Sequence, residues 1–230
     1  MDSKRLSLIA MLAAVYALAS FLPGFPMIGV PGSKIDLTRA LEMSFGFLLG
    51  PFVGPLTSFL GAFVGKTITG GGTSLLFTPL ALISTFTAAC LARDKVLNVK
   101  GWILGALIII VMIMGWYVTP VGFSILYYPL PHIISLCIVL IFRGRIQEYL
   151  NSKQRSKIVV GALLASYPST MAGHMAGNII FIVFFNPTAA FFVSLLPISI
   201  IERLTITALS TFIAAPILLA TREIFPDLFK

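Results

Sequence analysis

Residues 188–221, TAAFFVSLLPISIIERLTITALSTFIAAPILLAT, run for 34 residues with Glu202 and Arg203 as their only charged groups. At ~1.5 Å per residue a helix of that length reaches ~51 Å, far beyond the ~30 Å of bilayer hydrocarbon, so it must tilt, kink or project. Seven more apolar runs precede it, at 6–22, 37–50, 52–68, 74–92, 101–118, 121–142 and 157–185. The second and third are short and separated by Gly50-Pro51, which predicts a broken or tilted pair instead of two full spans. Pro168 offers a kink in the seventh. Asp36 is placed to cap the second run, the Gly70-Gly71-Gly72 run precedes the fourth, and Asn186-Pro187 separates the last two.

Composition points the same way. Of 230 residues, 58% are hydrophobic and 10% charged, against roughly 25% charged in an ordinary soluble domain. Mean hydropathy is +1.01. A soluble core of this size could not hide so much apolar surface, and the same figures exclude disorder, collagen, coiled coil and a nucleic-acid binder. The fold class is all-α: a polytopic helical bundle of six to eight membrane-spanning segments. No linker separates domains, so residues 1–230 form a single membrane domain. Cys90 and Cys137 lie in apolar runs without C-x-x-C spacing and are predicted to be small buried hydrophobes.

The net charge of +8 is concentrated in a few short connections. An N-in, C-in orientation puts Lys4 and Arg5 inside, with Arg93, Lys95 and Lys100 in one loop. Arg143, Arg145, Lys153, Arg155 and Lys157 share another, and Arg222 and Lys230 stand in the tail; Lys34 is left outside. The even parity requires six or eight spans. Lys4-Arg5, an apolar stretch and Ala17-Leu18-Ala19 also look like a secretory signal, but removing that helix would break the parity.

Small residues repeat every four positions: Ala10 and Ala14, offset from them Ala13 and Ala17, then Gly46, Gly50 and Gly54, then Gly61 and Gly65. Such faces let helix backbones approach closely in lipid. The glycine faces are predicted to pack inside the bundle. The alanine faces are open between internal packing and a docking surface.

The order of these features is similar to that of a known family. A basic start and Ala10-Met-Leu-Ala-Ala14 are followed by a Gly/Pro-rich loop from Pro23-Gly-Phe-Pro26 to Pro31-Gly32. An Asp36-to-Gly50-Pro51 segment and a Gly54/Gly61/Gly65 helix come next. Leu196-Pro197-Ile-Ser-Ile-Ile-Glu202 and Ala214-Ala215-Pro216-Ile-Leu-Leu-Ala220 stand near the end. The chain thus resembles the substrate-binding S component of an energy-coupling factor (ECF) vitamin transporter, most clearly over residues 1–70 and 190–222. The family typically has six spans, so residues 101–142 are expected to be an additional hairpin. The resemblance implies that an Ala-xxx-Ala face of the first helix contacts a transmembrane coupling subunit. Ala10 and Ala14 match that motif, with Ala13 and Ala17 as the other register.

Polar groups inside the runs mark a candidate cavity independently. Ionisable groups in hydrocarbon cost roughly 2.5–3.5 kcal/mol on insertion scales and so face a cavity or a partner. Arg39 and Glu42 share a face three residues apart and can form a structural ion pair. Thr170, His174 and Asn178 recur at four-residue spacing, as do Ser199, Arg203 and Thr207, with Glu202 adjacent. The last helical hairpin can join these stripes, which predicts a substrate site of His174, Asn178, Glu202 and Arg203, with Arg39, Glu42 and Lys66 contributing. Lys34, Arg39, Lys66 and Arg203 outnumber Asp36, Glu42 and Glu202 by four to three. That excess allows an anionic ligand without demanding one. His132 and His174 can equally be hydrogen-bonded core histidines, and Tyr127-Tyr128 with Trp116-Tyr117 are expected in an interfacial aromatic belt.

Neither a Walker loop nor metal-ligand spacing occurs, so no catalytic residue, metal or cofactor is expected. The expected function is non-enzymatic capture of a small water-soluble vitamin or related micronutrient in the cell membrane. By the resemblance, the partners are a coupling subunit and two ATPase subunits. The alternatives are a proton-coupled secondary transporter or channel, using Glu42, Glu202 or His174, and an intramembrane enzyme acting on a lipid-linked substrate.

Overall fold

Gly50 reverses the chain. Its φ of 79° and ψ of −172° lie outside the helical range of L-residues, and Pro51 follows with no N–H to continue the ladder. A Cβ on Gly54 would lie 2.8 Å from the Phe45 carbonyl oxygen and 3.2 Å from Gly46 Cα. In a continuous helix those positions stand ~12 Å apart. Helix α2 (Arg39–Ile68) is therefore two half-helices folded against each other, 39–49 and 51–68.

The structure, a computed structural model, describes residues 3–29 and 34–224, and the side chains of 6–29 and 34–221. Pro31, Gly32 and Lys230 lie outside the described residues, as do the side chains of Lys4, Arg5 and Arg222. Helix α1 (Ser3–Ala19) leads into a small antiparallel hairpin, β1 (Gly24–Pro26) with β2 (Lys34–Asp36), registered Phe25 to Ile35. After α2, the three glycines 70–72, all at positive φ, turn the chain into a 3-10 turn (Gly72–Phe77) and α3 (Leu80–Leu91). A two-residue hairpin, β3 (Lys95–Val96) with β4 (Val99–Lys100), precedes α4 (Gly101–Tyr117). Then come α5 (Pro120–Ser124), α6 (Leu130–Phe142), α7 (Arg145–Leu150), α8 (Arg155–Phe185) and α9 (Ala189–Ile224). The protein is helical. Among the described residues, Gly72–Leu91, Arg155–Phe185 and Ala189–Thr221 are helical stretches long and apolar enough to cross a membrane. So is Arg39–Ile68 by total length and composition, which Gly50 divides between its two halves.

Several sequence expectations are corrected. The run 121–142 is split, because Ile125 at φ −130°, ψ 76° ends α5 and a turn separates it from α6. The cap of α2 is Thr38, without a side-chain cap bond, while Asp36 ends β2 and pairs with lysines. Helix α8 runs unbroken through Pro168 and ends where Asn186 adopts the left-handed conformation. Cys90 is buried as expected but Cys137 is exposed. Trp116 is fully buried instead of sitting in an outer belt, and Tyr127 and Tyr128 part company, one exposed and one buried.

Glycines set the helix spacing. A Cβ on Gly46 would collide with the Thr85 carbonyl of α3, and one on Gly61 would sit 3.0 Å from the Ala13 carbonyl of α1. Gly65 meets Ser20 and Ala17 in the same way. The Ala13/Ala17 register of α1 thus packs within the chain against α2, while Ala10 and Ala14 are exposed. Where helices approach this closely, hydroxyls bond across them: Thr85 Oγ1 donates to Ser58 Oγ at 2.9 Å, and Ser166 and Ser210 share a bond at 3.1 Å.

Candidate functional site

A cavity of about 100 Å³ opens between the first half of α2, α8 and α9. A space holding one water needs only about 10–15 Å³ of this measure, so there is room for a small organic molecule. Its cover is the β1–β2 hairpin and the residues just after β1, with Pro26, Met27, Ile28 and Ile35 on the wall. Gly29 holds that cover down: at φ +87° its missing side chain leaves room for Phe191 and Phe181, which a Cβ would meet at 2.8 and 3.0 Å.

Helix α8 supplies His174, Asn178 and Phe181, spaced so that one face is presented to the cavity, and α9 supplies Ser199, Glu202 and Arg203 at the same period. Asn186-Pro187 joins the two helices and brings the stripes together. Arg203, 3% exposed, donates from Nη2 to Glu202 Oε2 at 3.4 Å, and its Nε has no partner. Asn178 Nδ2 donates to the Tyr128 hydroxyl at 3.3 Å. His174 stacks on His132 with ring centroids 5.3 Å apart, and its Nδ1 and both His132 ring nitrogens lack hydrogen-bond partners.

Arg39 enters the cavity wall from α2 and also lines a second space of about 20 Å³ beside it. Glu42 and Lys66 line that smaller space and not the main one. There, Glu42 Oε1 accepts from the Tyr16 hydroxyl at 3.0 Å and pairs with Arg39 Nε at 3.6 Å. Lys66 lies 3.8 Å from Asp36 and donates to the Ser74 carbonyl at 3.0 Å. Lys34 lies 3.5 Å from the same Asp36 and donates to the carbonyls of Ser20 and Leu22, both at 2.7 Å. These bonds tie the hairpin to the ends of α1 and α2. Gly65-Lys66-Thr67 is helical, so it forms no phosphate-binding loop.

Five of the seven residues read from sequence therefore meet at one cavity: Arg39, His174, Asn178, Glu202 and Arg203. Glu42 and Lys66 act one layer away, through Arg39 and Asp36. Sequence reading did not place the aromatic wall of Phe77, Phe181, Phe191 and Phe192, because phenylalanine in an apolar run carries no sign of which face it occupies. Tyr128 was legible only as one of a pair. Its role comes from stacking on Trp116 at 4.4 Å and meeting Phe192 at 5.4 Å. Among the described residues no cluster of His, Cys, Asp and Glu could hold a metal ion.

Compared with known proteins, the chain is 35% identical over 218 residues to Uncharacterized protein MJ0923 of Methanocaldococcus jannaschii. The match covers 92% of this chain and 70% of that protein. No protein-family profile matches the chain, and no solved structure does.

Proposed function

The chain belongs to the same family as that archaeal protein, and we propose that it is the substrate-capture subunit of an ECF-type importer for a small water-soluble micronutrient. The observation that carries this reading is the covered cavity, in which buried Arg203 and half-buried His174 keep polar atoms without partners inside a largely apolar helical body. Groups so costly to bury are retained where a ligand completes them. The exposed Ala10/Ala14 face of α1 supports the reading, because it offers a close-approach surface for a coupling subunit. That subunit and its ATPases would supply the energy.

In this reading the chain is N-in and C-in with six to eight membrane-spanning segments. The candidates are α1, the two halves of α2, the 3-10 turn with α3, α4, α6, α8 and α9. The turn at Gly50 then lies inside, near Arg93, whose guanidinium stands 3.5 Å from the Leu48 carbonyl, and the cavity opens outward. In a variant lacking Cys90 and Cys137, cysteines at Gly71 and Thr119 label with an impermeant thiol reagent in intact cells and one at Ser152 does not. Labelling of Ser152 from outside reverses the orientation.

The capture function is tested by mass spectrometry of whatever co-purifies with the detergent-extracted protein, followed by rebinding of the molecule found. A bound small molecule, and no proton flux in liposomes holding this chain alone, is the expected result. Proton-coupled uptake without partners would instead identify a self-sufficient transporter.

A further inference from the structure

We propose that the cavity takes a small planar carboxylate, with the carboxylate against Arg203 and Arg39 and the flat ring among the phenylalanines. This rests on the capture reading and names the chemistry of that same site.

The charge of the wall selects an anion. Two guanidiniums, Arg39 and Arg203, and one carboxylate, Glu202, line the cavity. Glu42, the partner of Arg39, lies outside it and already accepts from Tyr16. Arg203 is a donor-only group whose single carboxylate contact is long, at 3.4 Å, and whose Nε is buried without an acceptor. A carboxylate presents two oxygens in the spacing a guanidinium fork matches, so it fills this deficit directly. A cationic ligand would be repelled, even though aromatic faces by themselves suit cations.

The charges on the wall itself select a monoanion. Arg39 and Arg203 against Glu202 leave a single positive excess there. One carboxylate balances that excess in a low-dielectric setting. A phosphate dianion would overshoot that single excess.

The shape of the wall selects a ring. Phe181 and Phe191 lie parallel within 5°, centroids 5.4 Å apart, and Phe192 stands at 87° and 88° to them. This makes an aromatic corner that offers both a ring face and a ring edge to a flat guest. A volume of about 100 Å³ is on the scale of a single small ring.

The test uses the full chain in nanodiscs and the probes benzoate, nicotinate and indole-3-carboxylate. Each is paired with its neutral amide, and phenyl phosphate and benzyltrimethylammonium serve as charge controls. Ligand-observed NMR and calorimetry read binding. At least one carboxylate binds, its amide at least tenfold more weakly, and both controls more weakly still. Arg203→Gln abolishes the preference of carboxylate over amide. Where that variant leaves Glu202 unpaired and fails to fold, Glu202→Gln/Arg203→Gln removes both charges together and is expected to show the same loss. Equal binding of acid and amide, or preference for the cation or the phosphate, overturns the inference while the capture reading stands. If none of the carboxylates binds, the co-purifying molecule decides: a ring carboxylate upholds the inference and any other molecule overturns it. Absence of every probe and of any co-purifying molecule overturns both.

Discussion

The two ends of α8 and α9 sit in different chemistry. Toward one end Ile158, Ala162 and Ala165 of α8 pack with Ala214, Ala215 and Leu218 of α9 in a core completed by Leu91, Ile146 and Leu150. Small alanines let these helices close up. Toward the other end the same helices carry Met175, Phe181 and Phe192 around Trp116 and Tyr128, with Asn178, Glu202 and Arg203 buried beside them. The first region fills its space with methyl groups and aliphatic side chains. The second spends burial on rings and charged groups that do not satisfy one another completely. If the cavity binds as proposed, stability and recognition are separated along the length of two helices, and the separation can be tested.

The largest effect is expected in the apolar end. Leu91→Ala empties a site that is 1% exposed and should cost about 2–5 kcal/mol of stability, read as a lower midpoint in detergent thermal unfolding, with ligand affinity unchanged in the protein that remains folded. An affinity loss as large as the stability loss would show that the two ends are not separate.

Glu42→Ala should follow, at roughly 3 kcal/mol, because it strands half-buried Arg39 and removes the buried acceptor of Tyr16. Here stability and binding fall together, since Arg39 reaches both cavities. Glu42→Gln, which keeps a hydrogen-bond acceptor, should recover part of both. Unchanged binding in the Ala variant would disconnect the small cavity from the large one.

Asn178→Ala sharpens the comparison, because it strands no charge. It removes the bond to Tyr128 and should lower stability by only about 1 kcal/mol. Affinity for the co-purifying ligand should fall more than threefold, or above ~0.7 kcal/mol. Affinity preserved within threefold in both Asn178→Ala and His174→Ala would make these residues structural.

The smallest stability change is expected away from both regions, on α1. Ala10→Leu/Ala14→Leu should leave unfolding within about 0.5 kcal/mol and ligand binding intact, while co-purification with a coupling subunit is lost. Wild-type recovery of the complex would remove this face as the dock.

Much of this organisation is local and therefore legible in the chain. An apolar run of helical length needs no partner to be recognised, and Gly50-Pro51 turns the backbone because one residue lacks a Cβ and the next lacks an N–H. The stripes His174/Asn178 and Ser199/Arg203 follow from 3.6 residues per turn. Each is a property of neighbouring residues, so sequence alone determined a helical body with apolar, membrane-length runs, a break at Gly50-Pro51 and one polar face on each of the last two long helices.

What only the tertiary structure decided is which faces meet. Ala10/Ala14 and Ala13/Ala17 have the same spacing, and the choice between them depends on Gly61 and Gly65, some fifty residues away, which admit Ala13 and Ala17. Asp36 reads as a helix cap until the hairpin brings Lys34 and Lys66 to it, and ion pairing with two ammonium groups then outweighs a single cap bond. Trp116 and Tyr128 read as belt aromatics until Phe192 and α8 enclose them. Lys66 and Glu42 carry the same sequence signature as Arg203, a charge in an apolar run, yet packing gives them to the small cavity and Arg203 to the large one. Periodicity specifies the face of each helix. Contact between helices is set by the shape of both surfaces at once, and no stretch of one helix contains that information.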